Sequence, residues 1–172
     1  MRVFVVSAIV LLTFVLQSTV LRHIEIFGIR PNISLIIVVS FGILRFEKEG
    51  GIIGFFAGLL QDIIFGPVIG LNALLYMLIG YFSGKPFKKF YAEIFLIPIF
   101  LVGSSTLFFN IVYYILNFLF RARLDILYYF GTIILPETLY NVTVSLPVYF
   151  FIYVVNKYLE KIEKPHRRIF RA

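Results

Sequence analysis

Cysteine is absent from the 172 residues, so disulfides and thiolate metal centres are excluded. Histidine is nearly absent. His23 and His166 each sit beside an arginine in what reads as a loop, so neither a histidine metal site nor Ser-His catalysis is expected. No pair of side chains reads as a nucleophile with its base, so no catalytic residue, cofactor or metal is expected. Charge is scarce at 15% of residues, against about 25% in soluble domains. What remains is apolar: 60% hydrophobic residues, 21 Phe and 11 Tyr without a Trp, and a mean hydropathy of +0.96. These values point to an integral membrane protein with one compact membrane domain, residues 1–172, and no nucleic-acid partner.

A bilayer core takes about 20 apolar residues per helix. Six segments fit that measure, giving an all-α, polytopic fold: 3–21, 31–44, 50–65, 68–83, 92–120 and 136–156. The first could pass for a signal peptide, but it is too long for one and lacks a small-x-small cleavage site, so it reads as a retained span. The second is short and is expected to lean or to be sheltered by its neighbours. The fifth is long enough to tilt or kink at Pro98. The run from Ile126 to Asn156 overshoots a bilayer, and Pro136 is read as a break that opens the sixth span.

Basic residues test the topology. One side collects Arg2, Arg45, Lys48, Lys85, Lys88, Lys89, Lys157, Lys161, Lys164, Arg167, Arg168 and Arg171, twelve of the 16. The other has Arg22, Arg30, Arg121 and Arg123, the remaining four. That asymmetry places both termini in the cytoplasm. Residues 157–172 form a basic cytoplasmic tail, expected to touch anionic lipid at about 1 kcal/mol per basic residue or to dock a cytoplasmic protein.

Polar residues inside the spans carry the remaining information. Gly50, Gly54 and Gly58 recur every fourth residue, and Asp62 takes the next step, so all four share one helix face. Glycine faces let helices approach closely, so Asp62 is expected to face protein rather than lipid. The next span carries a matching stripe of Asn72, Tyr76, Gly80 and Gly84. With the turn at Gly66-Pro67, Asp62 and Asn72 are expected at similar depth near the outer leaflet, hydrogen-bonded to each other. Glu137 follows Pro136 and is expected in a first helical turn, where the helix dipole favours an anion. Asn141 lies one turn further on the same face. Arg22, Arg30, Arg121 and Arg123 are candidate counter-ions. Gln17, Gln61, Asn110 and Asn117 read as interhelical glue, and Ser104 to Thr106 as hydroxyls bonding back to helix carbonyls.

Four stretches together resemble one family: "LQSTVL", "RPNISLIIVV", "GLLQDIIFGPVIGLNAL" and "PETLYNVTVSLPVY" look like MreD, the rod shape-determining membrane protein of bacteria. The most specific is the hairpin from Gly58 to Leu74. Asn32 stands where the family often has Asp. The resemblance implies a non-enzymatic inner-membrane component of the cell-elongation, peptidoglycan-synthesis complex. Its implied partners are MreC, the MreB filament, a glycan polymerase, a transpeptidase and membrane lipids. It also implies the six-helix fold of the substrate-binding subunits of energy-coupling-factor vitamin transporters. A transporter subunit of that fold is the alternative reading. Asp62, Asn72 and Glu137 could line its cavity, but the small-residue face that such subunits carry on their first helix is missing, since Leu12 follows Ala8 at the fourth step.

Overall fold

The computed structural model describes residues 2–19, 28–66, 68–85, 96–121 and 126–169. The described residues are helical almost throughout. In chain order the helices are α1 (Arg2–Thr19), α2 (Ile33–Phe65), α3 (Leu71–Gly84), α4 (Leu96–Arg121), the short α5 (Ile126–Tyr129), a π-helical turn (Phe130–Ile134) and α6 (Leu135–Ile169). Two stretches are long and apolar enough to cross a membrane, Leu96–Leu116 and Phe130–Lys161; Val3–Thr19 and Leu71–Gly84 are shorter apolar helices.

Helix α2 covers two of the expected segments, and it is broken at Phe46 (φ 70°, ψ 172°). The break falls where Arg45, Glu47, Lys48 and Glu49 interrupt the apolar run. The two arms, 33–45 and 47–65, fold back on each other: a Cβ added to Gly50 would lie 2.6 Å from the Gly42 Cα. The first arm is the pillar of the molecule. Residues 34–43 are buried on every side, and a helix apolar all round is stable only inside a protein or a bilayer. Leu35, Ile36, Val38, Val39 and Ile43 pack with Leu75, Tyr76 and Ile79 of α3, Val102 and Phe109 of α4, and Tyr149 of α6. A second cluster joins Ile37 and Phe41 to Ile152 of α6. Shelter by neighbours is thus how the short second segment is accommodated.

Phe46 occupies a region of backbone space that is essentially reserved for glycine, at a cost of about 1–3 kcal/mol. Tight packing enforces it: at Gly84 a side chain would strike the Phe46–Glu47 backbone. The Phe46 ring is itself exposed and contributes little burial. Phe46→Gly is therefore expected to raise the thermal midpoint of the detergent-solubilised protein by about 2–4 °C, whereas Phe46→Ala, which keeps the strain, is not.

Pro136 does not open a helix. The helical run enters from Ile126 and passes through Pro136 by widening to the π-helical turn, where the Leu135 N–H reaches the Phe130 carbonyl five residues back. A π-turn is one way a helix absorbs a residue that cannot donate its own N–H. The helix also continues to Ile169, past the expected end at Asn156, so residues 157–169 extend α6 rather than leave it. Pro98 lies in the first turn described for α4, where proline costs least.

Candidate functional site

The two four-residue stripes meet one to one. A side chain at Gly54 would land on the Tyr76 carbonyl, one at Gly58 on the Asn72 carbonyl, and one at Gly50 on the Gly80 carbonyl. Helix backbones in this antiparallel hairpin are in direct contact, which only glycine permits.

At the end of that ladder Asp62 is 1% exposed. Its carboxylate accepts three backbone N–H groups at the start of α3: Gly70 (2.9 Å) and Ala73 (2.9 Å) on Oδ2, and Asn72 (3.1 Å) on Oδ1. Gly70 itself, with φ 103°, supplies no side-chain cap. Asp62 therefore caps a helix from the neighbouring helix. The expected Asp62–Asn72 contact exists, but through the Asn72 main chain rather than its amide. The difference matters energetically. A carboxylate holding three otherwise orphaned N–H groups at a helix N-terminus is worth more than an ordinary interhelical hydrogen bond of about 0.6 kcal/mol.

A second polar assembly lies nearby, built around Asn32 at the N-cap of α2. Its Oδ1 accepts the Leu35 N–H (3.1 Å) and the Tyr76 hydroxyl (2.8 Å). Its backbone N–H donates to Asn141 Oδ1 (2.7 Å), and the Asn141 amide donates to Thr106 (3.1 Å). Gln17 of α1 accepts from both the Ser34 N–H (3.0 Å) and its hydroxyl (2.7 Å). One chain of hydrogen bonds thus ties α1, α2, α3, α4 and α6 together at a single level. Tyr76, Thr106 and Asn141 in it are fully buried.

Sequence reasoning places Asn141 and Gln17 among the polar pins, but it notes Asn32 only as a departure from the family's usual Asp, passes over Ser34, and sees Thr106 only as bonding back within its helix. Asn32 could have been found: Pro-Asn before an apolar run is an N-cap signature. The hydrogen bonds that Asn32 makes through its side chain use the oxygen, as an acceptor. Asn32→Asp is accordingly expected to keep the fold within about 1 kcal/mol. Asn32→Leu leaves a buried N–H and a buried hydroxyl unmatched and is expected to cost about 2–3 kcal/mol. Thermal midpoints of the two variants check the ordering.

Glu137 stands apart from both groups. It lies in the first turn of α6, yet the π-turn ahead of it already engages the Leu135 N–H, so the expected free helix end is not there. Its side chain is half-buried and approaches Asn110. The Asn110 amide nitrogen is buried without a hydrogen bond, as is Gln61 Oε1. Ser104 and Thr106 bond back to the carbonyls of Leu101 and Val102, as helical hydroxyls do. Arg30 is exposed. The Arg121 and Asn117 side chains lie outside the described residues, as do His23, Arg22, Arg123, Pro67 of the expected turn, Lys88, Lys89 and Arg171 altogether. Lys157 and Lys161 are exposed on α6, with the Lys157 ammonium 5.9 Å from the Tyr153 ring centre, while only the helical backbone is described at Lys164, His166, Arg167 and Arg168. No cluster of three or more His, Asp or Glu residues suited to a metal occurs among the described residues.

The family model described as rod shape-determining protein MreD matches residues 1–161. No curated protein matches the chain. No solved structure does either.

Proposed function

Since this chain belongs to the MreD family, and is thus a rod shape-determining protein of the bacterial inner membrane, we propose that it acts as a non-enzymatic scaffold that binds MreC. In this reading it helps to organise the polymerase, the transpeptidase and the MreB filament of the elongation complex. One observation carries the scaffold reading. Asp62, Asn32, Tyr76, Thr106 and Asn141 spend their polar atoms on backbone groups and on one another's side chains, which fixes helix positions and leaves no reacting pair among these five. The vitamin-transporter reading draws no support from the site, since the Asp62 carboxylate is engaged in capping α3.

The proposed architecture is a single membrane domain of six spans, with both arms of α2 counted separately. It would share the fold of the energy-coupling-factor subunits. Three features support the count: the charged bend at Phe46, the antiparallel glycine ladder, and the twelve-to-four division of basic residues. With no native cysteine, single introduced cysteines report topology without background. Lys48→Cys and Lys88→Cys are expected to resist a membrane-impermeant maleimide on intact spheroplasts, and Val68→Cys to react. Labelling of Lys48→Cys would remove the bend from the cytoplasmic side.

The scaffold role is tested by co-expressing the chain with its MreC and purifying through a tag on the chain. Stoichiometric recovery of MreC is expected. Its absence from a well-folded preparation would defeat the proposal. Removing residues 160–172 is expected to leave MreC recovery intact and to weaken binding to anionic vesicles or to the filament, since five of the six basic residues of the tail lie there. Unchanged binding of both would reduce the tail to a topology signal.

A further inference from the structure

Helix α1 and the second arm of α2 lie side by side without closing. Val3, Ser7 and Leu11 on α1 face Glu49, Phe56 and Ile63 on α2 across a cleft of about 570 Å³. Both rows follow helical spacing, so each is a continuous stripe. Ser7 and Glu49 are the polar members of the lining; the rest is aliphatic or aromatic. One turn beyond Leu11 the Phe14 ring meets the Phe65 ring, 5.7 Å between centres, and shuts that end. The cleft thus carries its one charged side chain at the Glu49 end, is apolar along its length apart from Ser7 midway on α1, and is closed at the other end.

Length decides what such a cleft can hold. Its α1 wall, residues 3–11, is about 12 Å long and its α2 wall, residues 49–63, about 21 Å. A membrane-spanning helix needs about 30 Å of groove, and the Phe14–Phe65 contact stops it well short. One leaflet's share of the hydrocarbon core is about 15 Å, the reach of a single acyl chain. A volume of this size falls within the range of preformed small-molecule sites, about 300–1,000 Å³.

We propose that this cleft is a phospholipid site. One acyl chain lies along the stripe with its methyl end toward Phe14 and Phe65, and the head group sits at the Glu49 end. In the six-span topology that end faces the cytoplasmic leaflet. The occupancy itself depends neither on that orientation nor on the MreC assignment.

The experiment is native mass spectrometry of the full chain, purified in detergent and titrated with palmitoyl-oleoyl phosphatidylethanolamine. The wild type is expected to retain one lipid. Ser7→Trp combined with Leu11→Trp fills the cleft from exposed positions on α1, and Leu11→Trp alone fills part of it. Retention is expected to fall by about tenfold in the double variant and less in the single one. Leu12→Trp, exposed but outside the lining, is expected to behave as wild type. A wild type without retained lipid, equal retention in the filled variants, or equal loss in the Leu12 control would each overturn the site. So would a dimer that the filled variants dissociate, since the occupant would then be a second copy. Recovery of MreC from the same preparations reads the scaffold role separately.

Discussion

Gly58→Leu is expected to force the α2–α3 hairpin apart. The backbone of α3 occupies the space a side chain would need: the Asn72 carbonyl and the Ala73 Cα both fall where the new Cβ would sit. Backbone cannot rotate away as a side chain can, so the helices must separate. Separation breaks the Asp62 cap and the Asn32–Tyr76 bond, both of which need α2 and α3 in contact. Overpacking alone costs about 1–3 kcal/mol, and with the lost polar contacts the total is expected above that range. Gly54→Ala meets the Tyr76 carbonyl in the same way and is expected to cost somewhat less, for want of a large side chain. Gly131→Ala is the contrast. Nothing lies within 4 Å of a Cβ there, so a neutral or slightly stabilising result is expected, in line with the higher helix propensity of alanine. Size-exclusion chromatography after heating, in detergent, ranks the three. A Gly58→Leu protein as stable as wild type would exclude the direct backbone contact.

Asp62→Ala carries the second large effect. It removes the acceptor for three buried or part-buried N–H groups at once. Asp62 is buried, so water has no access to replace the acceptor, and each unmatched buried group costs about 1–3 kcal/mol. A net loss of about 3–5 kcal/mol is expected, which corresponds to a midpoint lower by roughly 10 °C. Asp62→Asn separates capping from charge. Its single oxygen can still accept the Gly70 and Ala73 N–H groups that share Oδ2, while the Asn72 bond is lost. An intermediate midpoint is therefore expected. Equal loss in both variants would assign the effect to charge alone.

The hairpin is the most legible part of the sequence. A four-residue period of small residues in an apolar chain marks a face for close helix packing. The partner stripe of Asn72, Tyr76, Gly80 and Gly84 repeats the period in the next helix, and the two stripes meet in register. The Asp62–Asn72 pairing is legible as proximity but not as chemistry, because sequence spacing does not say whether a main-chain or a side-chain group will answer a carboxylate. The π-turn at Phe130–Ile134 is hidden for a related reason. Proline marks a missing donor, and a helix can meet that lack by breaking or by widening. The Asn32 network is the least visible, since its members come from five helices and only the packed fold brings Gln17, Tyr76, Thr106 and Asn141 to one level.

Asp62 and its neighbours, on this view, hold helices in place and take no direct part in chemistry or ligand exchange. The decisive measurement is rescue of rod shape, per folded molecule, by wild type, Asp62→Asn and Asp62→Ala in cells depleted of their own MreD. Folded protein is counted in the same membranes by size-exclusion chromatography. Rescue is expected to follow the amount of folded protein across the series, with Asp62→Asn between the other two. An Asp62→Asn protein as abundant and as stable as wild type, yet unable to restore rod shape, would show that the carboxylate does more than hold helices.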